Sequence, residues 1–521
     1  MSVAHIKSRA QLGLHAPLVT VEVHLGPGLP FFSVVGLPTK AVKESKDRVR
    51  AALLNSQFEF PAGRITVNLA PADLPKEGGR FDLPIALGIL VASGQLGDFE
   101  TAAAQERLRD EFYGELGLAG ELKPIRGLFL AAAHAAMSGN GVVVPTANAD
   151  EAATAARVGV KAASHLLEVC VHLQGKELLA PRVPPGERAS SAGVRSGDAD
   201  LSDVRGQSQA KRALILAASG AHSVLFIGPP GSGKSMLAKR LPGLLPPLTE
   251  SQAVEVATIA SVSDGGFDSR QFRCPPFRSP HHTSSAHSIV GGGPYARPGE
   301  ISLAHHGVLF MDELPEFDRR VLESLREPLE TGVISVARAR THAEYPAKTL
   351  LICAMNPCPC GFYGDSTRCK CSPDRVQRYR NRISGPLLDR IDLRIEVSPV
   401  QDFELLDAKP RAQPSTADVA PLVRAARERQ LARNGKLNAH LEVAELAKHC
   451  ELTAAGQRLI AKSVASFGLS ARSYHRTLRV ARTIADFEAC ERIEPEHVAE
   501  AIQLKRALDS ASSDYLTSSS M

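Results

Sequence analysis

No apolar run in the 521 residues approaches the roughly 20 that a helix needs to cross a bilayer. A membrane partner is therefore not expected. The first stretch, MSVAHIKSRAQLGLHAP, lacks the charged, then apolar, then small-residue order of a secretory signal, so a cytoplasmic location is expected. An excess of one charge sign is missing too. The 61 Lys and Arg against 56 Asp and Glu leave +5, which implies nucleic acid only if the basic residues cluster. Nine cysteines, an odd number in a reducing compartment, argue against a disulfide framework. What is present is an ordinary globular composition, 44% hydrophobic and 22% charged. The length suits about two to four domains.

Residues 1–180 alternate strand-like runs (VTVEVHL, ITVNLA, GVVVP) with Ala-rich helical patterns such as LFLAAAHAAM, which predicts an α/β domain. The segment PRVPPGERASSAGVRSGDAD, 181–200, is rich in Pro, Gly, Ser and charge, and reads as an exposed linker. Across 201–400 apolar strands (SVLFI, GVLFMDE, TLLICAMN) alternate with helices, the pattern of a parallel sheet with helices on its faces. From 401 to 507 strand-like runs almost vanish, and apolar residues recur at helical spacing from about 416, predicting an all-α region. The polar tail 508–521 is expected to be disordered.

The run GPPGSGKS (Gly228, Pro229, Pro230, Gly231, Ser232, Gly233, Lys234, Ser235) fits G-x-x-x-x-G-K-[ST] between a strand and a helix. Its glycines let backbone amides curl around phosphates, Lys234 reaches the β and γ phosphates, and Ser235 supplies a Mg²⁺ ligand. ATP with Mg²⁺ is the implied cofactor. Strand GVLFMDE ends in Asp312, suited to orienting Mg²⁺, and Glu313, suited to activating the attacking water. Asn356 closes TLLICAMN, where its amide could position that water; alone, such an Asn is a turn residue, and the order of the set gives it standing.

These residues resemble an AAA+ ATPase, and more narrowly the magnesium-chelatase-like group that includes the ComM family. The motifs are DVRGQSQAKRAL, GPPGSGKS, RSPHHTSSAHSIVGGGPYARPGEISLAHHGVLFMDELPEF, NPCPCG and SGPLLDRID, with GLPFFSVVGLP and LSARSYHRTLRVARTIADFE toward the two ends. The resemblance implies a hexameric ring in which each ATP site is completed by the next subunit. It assigns Arg390 of LLDRID as the arginine finger, although spacing alone would pair Arg390 with Asp389 or Asp392. It also makes Arg472 of SAR the second sensor, in contact with the γ phosphate. Arg472, Arg476 and Arg479 lie at i, i+4 and i+7 on one helical face, the latter two read as the sensor's neighbours or as a solvated basic face.

The stretches PADLPKEGGRFDLPIAL and GELGLAGELKPIRGLFLAAAHA look like the peptidase domain of Lon, implying a ribosomal S5 domain 2-like fold. Lon's chemistry needs a Ser hydroxyl beside a Lys amine. Here the expected Ser position holds Arg80, and those around the expected Lys hold Phe129 and Ala131, so binding or ring assembly is expected rather than peptide cleavage. Lys76 and Arg80 are candidate DNA contacts.

Between the second and third nucleotide strands, GVISVARARTHAEYPAKTL reads as a hairpin that the family directs into a central pore. Arg338 and Arg340 at alternate positions suit sequence-independent phosphate contacts; an exposed basic turn is the alternative. In RVQRYRNR, Arg375, Arg378 and Arg382 share a helical face that could meet nucleic acid or the acidic edge of a neighbouring subunit. The histidines of SPHHTSSAHS, with His305 and His306, are read as a polar network and assigned no metal.

Cys358, Cys360, Cys369 and Cys371 form C-x-C-x8-C-x-C within an insertion at 358–371. Four thiolates there could surround a structural Zn²⁺; unligated thiols are second and disulfides last. The resemblance implies an ATP-driven motor acting on single-stranded and branched DNA, promoting branch migration during natural transformation and homologous recombination. A chelatase-type chaperone that remodels a protein partner is the alternative.

Overall fold

The computed structural model describes residues 3–505 except 40, 41, 43, 98, 100, 158, 185–198, 294, 295, 339, 340, 400–412, 468 and 469. Arg340, most of the 181–200 linker and the 508–521 tail therefore lie outside the described residues. The chain divides into two compact units, Met1–Ser191 with Glu250–Phe272, and Ala192–Thr249 with Arg273–Met521. No helix among the described residues is long and apolar enough to cross a membrane.

The first unit is built on a seven-stranded sheet of β1 (Val3–Arg9), β2 (Leu18–Gly26), β3 (Phe31–Val35), β4 (Arg64–Ala70), β5 (Glu111–Phe112), β6 (Val142–Pro145) and β7 (Val160–Ala163), in the order β3-β4-β2-β1-β5-β6-β7. The β1–β2 and β2–β4 pairs are antiparallel, and the others are parallel. In β2 and β4 every second residue is buried (Val19, Val21, Val23; Ile65, Val67, Leu69), the signature of a sheet packed on one face. Helix α1 (Asp82–Ala92) covers that face and is buried almost throughout. Gly88 marks a close approach, since a Cβ there would lie 2.5 Å from Val23.

Lys76 and Arg80 are buried at 0% and 6% exposure, which corrects the expectation that they contact DNA. Arg80 spends its guanidinium on the carbonyls of Arg9 and Arg126 and on Gln11 Oε1. Lys76 Nζ donates to the Pro71 carbonyl. Lys76 ties the loop that precedes α1, and Arg80 ties the turn entering α1 to the β1–β2 turn and to the loop before Leu128.

α2 (Leu128–Met137) and α3 (Ala149–Ala156) pack together in this unit. They also receive the helix Glu250–Ser261 and the loop after it. Phe129 has its ring centroid 5.1 Å from that of Phe267 and 6.5 Å from that of Phe272. Gly127 N donates to the Ser261 carbonyl, and Ser261 Oγ donates to Glu151, whose carboxylate also accepts from Phe129 N. Burial raises the pKa of Glu151, with the Ser261, Asn148 and Phe129 hydrogen bonds opposing it.

The second unit holds a five-stranded parallel sheet of β8 (Val224–Ile227), β9 (Phe277–Arg278), β10 (Val308–Met311), β13 (Leu350–Met355) and β14 (Leu393–Glu396), in the order β9-β10-β13-β8-β14. Between β10 and β13 the chain forms an antiparallel hairpin, β11 (Val333–Arg338) and β12 (Thr341–Pro346). Strands β8, β10 and β13 are buried at every position, as parallel strands covered on both faces must be.

In register, Ile227 pairs with Met355, and Met311 pairs with Cys353. The residues that follow, Gly228, Asp312 and Asn356, therefore emerge together at the carboxyl ends of the strands, where ligands of open parallel sheets bind. Around the sheet lie α4 (Ser208–Gly220), α5 (Lys234–Ala238), α6 (Pro328–Thr331), α7 (Pro373–Arg380) and the helices α8 (Thr416–Asn434), α9 (Val443–His449), α10 (Ala454–Phe467), α11 (Ala471–Phe487) and α12 (Pro495–Gln503). Leu214 of α4, Val423 of α8, and Leu478 and Ile484 of α11 join Val224, Phe310 and Ile352 of the sheet in one apolar core. The expected α/β architecture, with a parallel-sheet core and a helical C-terminal region, is the one observed.

Candidate functional site

The loop after β8 is shaped by its glycines. Gly231 and Gly233 take φ of +78° and +90°, and a Cβ on Gly228 would come within 2.1 Å of the Val397 carbonyl oxygen. Lys234 curls back over the loop, with Nζ donating to the carbonyls of Gly228 (2.7 Å) and Pro229 (2.8 Å) and to Asn356 Oδ1 (3.2 Å). Burial lowers its pKa, with Asp312 and Glu313 acting in the opposite sense. Ser235 Oγ donates to Asp312 Oδ2 at 2.6 Å. A hydroxyl and a carboxylate at this separation are oxygen donors suited to Mg²⁺ beside a triphosphate. Strands β8, β10 and β13 thus bring Lys234, Ser235, Asp312 and Asn356 together.

Glu313 has a left-handed backbone, φ +53°, and its carboxylate Oε2 lies 3.1 Å from His282 Nδ1. His282 belongs to the SPHH stretch that follows β9. It is one of the histidines expected in a polar network, and its partnership with Glu313 carries no signal in the spacing.

Arg390 and Arg472 meet each other at Glu330. The Glu330 carboxylate accepts from Arg390 Nη2 at 2.5 Å and from Arg472 Nη2 at 3.1 Å. Neither of the aspartates beside Arg390 is its partner: Asp392 is engaged by Arg476 Nη1 (2.6 Å) and by His222 (3.2 Å). Arg476 is mostly buried, and Arg479 is buried enough that desolvation lowers its pKa. The solvated-face alternative for these two is thereby corrected, because α11 turns this side toward the sheet core.

Cys358, Cys360, Cys369 and Cys371 converge so that their Sγ atoms all lie within 4.8 Å of one another. Cys358 is 3.3 Å from Cys360 and 3.8 Å from Cys369, and Cys360 is 3.5 Å from Cys369. A tetrahedral zinc with Zn–S of about 2.3 Å sets S···S edges of about 3.8 Å, so the cluster fits that ion closely. The Cys360 thiol is lowered to about 6, first by the Phe362 backbone N–H. Gly361, φ +87°, lies against the phosphate loop: a Cβ there would sit 2.5 Å from Pro230 Cδ.

Of the arginines read as DNA contacts, Arg375 and Arg378 are exposed on α7. Arg382 lies beyond the end of α7 and pairs with Glu316 at 2.8 Å. Arg338 ends strand β11 of the hairpin, opposite Thr341.

A phosphate-binding loop on an inner strand of a parallel sheet, with an acidic strand end two strands away and a helical region in the same core, defines a P-loop nucleotide-binding unit of the AAA+ type. Three family matches tile the chain: subunit ChlI of Mg-chelatase over residues 21–148, magnesium chelatase subunit ChlI over 200–405, and its C-terminal part over 413–505. The protein YifB of Salmonella typhimurium is 47% identical over 98% of both chains. Competence protein ComM of Haemophilus influenzae is 47% identical over 96% of this chain and 97% of its own. A more distant match, at 25% identity over 40% of this chain and 25% of its own, is the maternal DNA replication licensing factor mcm6 of Xenopus tropicalis. The chain belongs to the YifB/ComM family of magnesium-chelatase-like AAA+ proteins.

Proposed function

We propose that this protein is an ATP hydrolase that assembles as a hexameric ring on single-stranded and branched DNA and drives branch migration in natural transformation and homologous recombination. The observation that carries the reading is the nearly end-to-end match to a protein named for competence. The convergence of Lys234, Ser235, Asp312 and Asn356 supports its chemistry.

In this reading Lys234 and the loop from Gly228 to Ser235 hold the phosphates, and Ser235 and Asp312 hold Mg²⁺. Glu313 activates water and Asn356 positions it. Arg390 reaches the neighbour's triphosphate as a finger, with Arg472 as the second sensor. Arg338, Arg340, Arg375 and Arg378 hold the DNA backbone, which needs no base readout. A Zn²⁺ held by the four cysteines stiffens the segment between Asn356 and Arg390. The N-terminal unit, Lon-like but without a Ser–Lys pair, serves binding or assembly, and the protein works in the cytoplasm.

The test compares ATPase rates without DNA, with single-stranded DNA and with three-stranded junctions, alongside strand movement on synthetic three- and four-stranded junctions. Stimulation by DNA together with junction movement is expected. Glu313→Gln should bind ATP and DNA yet lose turnover by about 100-fold or more and move nothing. A rate indifferent to DNA at low salt would select the chelatase-type protein remodeller instead.

A further inference from the structure

Glu330 stands in the one-turn helix α6, whose cap Gly332, φ +71°, leads straight into strand β11 of the hairpin. Its carboxylate is the meeting point of two guanidinium groups that are distant in sequence. Oε2 accepts from Arg390, 60 residues away, and Oε1 from Arg472, 142 residues away. The side chains of Glu330 and Arg472 are 54% and 48% exposed, whereas that of Arg390 is 8% exposed and is further held by the Pro386 carbonyl at 2.8 Å. Among the described residues, Glu330 is the only carboxylate paired with either arginine, and neither arginine bonds to Lys234, Ser235 or Asp312 of its own subunit.

Two guanidinium groups brought this close repel each other unless an anion lies between them. Glu330 supplies that anion from a solvent-facing position. The Arg390 pairing, followed by the charges of Arg390, Arg472 and Arg476, holds its carboxyl below the usual range. Ion pairs made by a solvent-exposed carboxylate are individually weak and easily exchanged. A triphosphate offers more negative charge and several acceptor oxygens, to which a planar guanidinium binds more strongly than to one carboxylate.

We propose that Glu330 is a positioning residue: it keeps Arg390 and Arg472 together as a pre-formed anion clamp and gives both up to a neighbouring subunit's triphosphate. The exchange frees α6, and with it the base of the β11–β12 hairpin. This rests on the finger reading of Arg390 given above, and it directs the sensor contact of Arg472 to the same neighbouring triphosphate. Glu330 then links phosphate contact at the subunit edge to the element read as gripping DNA, and it holds back turnover while no DNA engages the hairpin.

The experiment measures kcat and KM for ATP, with and without single-stranded DNA, in wild type, Glu330→Gln, Glu330→Asp and Arg390→Ala. Glu330→Gln should leave the thermal midpoint unchanged, raise the DNA-free rate about threefold or more and shrink DNA stimulation by a similar factor. Glu330→Asp should behave as wild type. If Glu330→Gln keeps both rates, or loses kcat with its DNA stimulation intact, the clamp is overturned. Arg390→Ala separates the two levels: if it hydrolyses ATP as wild type does, the finger reading itself fails, whereas an inactive Arg390→Ala beside an unaltered Glu330→Gln removes only the role of Glu330.

Discussion

Asp392 decides how the arginines around it are used. Its carboxylate lies inside the second unit against Arg476 and His222. Burial alone would raise its pKa; Arg476, the His222 hydrogen bond and Lys505 overcome that and hold it well below the usual aspartate range. An aspartate titrates at about 3.9 when unfolded. A depressed folded-state value therefore stabilises the protein fully above that pH, and the contribution is lost as pH falls through the folded value. Asp392→Asn leaves Arg476 buried without its carboxylate and should cost about 3–5 kcal/mol at neutral pH, measured by denaturant unfolding. The gap from wild type should stay constant from about pH 5 to pH 8 and narrow only below about pH 4. Narrowing within the neutral range would mean that another group carries the effect. From sequence, Arg390 had Asp389 and Asp392 as its nearest acids, and the i, i+4, i+7 arginines announced a shared face. That face was legible because helix geometry is local. Its direction was not, since the acids and sheet residues that receive it come from segments far away in the chain.

At the scale of an element, the convergence of the four cysteines was legible, because two Cys-x-Cys pairs at the ends of a short turn-rich loop are brought back to each other. Its neighbour was not. Gly361 touches Pro230 of the phosphate loop, and Arg380 of α7 braces the same segment through the Pro357 carbonyl and the Tyr363 ring. A clip built this way stiffens one wall of the phosphate loop. Purified protein should carry about one zinc per chain by elemental analysis, and Cys369→Ser should carry almost none. Removing the metal with a chelator should lower the thermal midpoint and weaken binding of a fluorescent ATP analogue several-fold, by about 1 kcal/mol. Metal loss with unchanged nucleotide affinity would confine the clip to local folding. The strands, in contrast, could be placed from sequence at once: VLFI, VLFM and LLICAM are short, wholly apolar and followed by the residues of the site, as buried parallel strands require.

For the molecule as a whole, contiguity in sequence is a poor guide to which residues fold together. Glu250–Phe272 lies within the stretch 201–400 that carries the nucleotide motifs, yet it packs with Met1–Ser191. Nothing in its composition marks that return, because what receives it is a socket: the fully buried Phe129 ring, the Gly127 and Phe129 amides, and the Glu151 carboxylate. The socket is thus filled by the chain's own Ser261, Phe267 and Phe272. A fragment ending at residue 191 loses all three partners, leaving an apolar ring exposed and a buried acid without its Ser261 hydrogen bond. Relative to the same unit within the full chain, that fragment should melt at least about 5 °C lower and bind a hydrophobic dye, as expected when large apolar partners are removed. Adding a synthetic peptide of residues 250–272 should restore the midpoint and displace the dye, whereas a peptide with Phe267→Ala and Phe272→Ala should not. A fragment that melts at the full-chain temperature without the peptide would mean that the socket contributes nothing to the fold of the first unit.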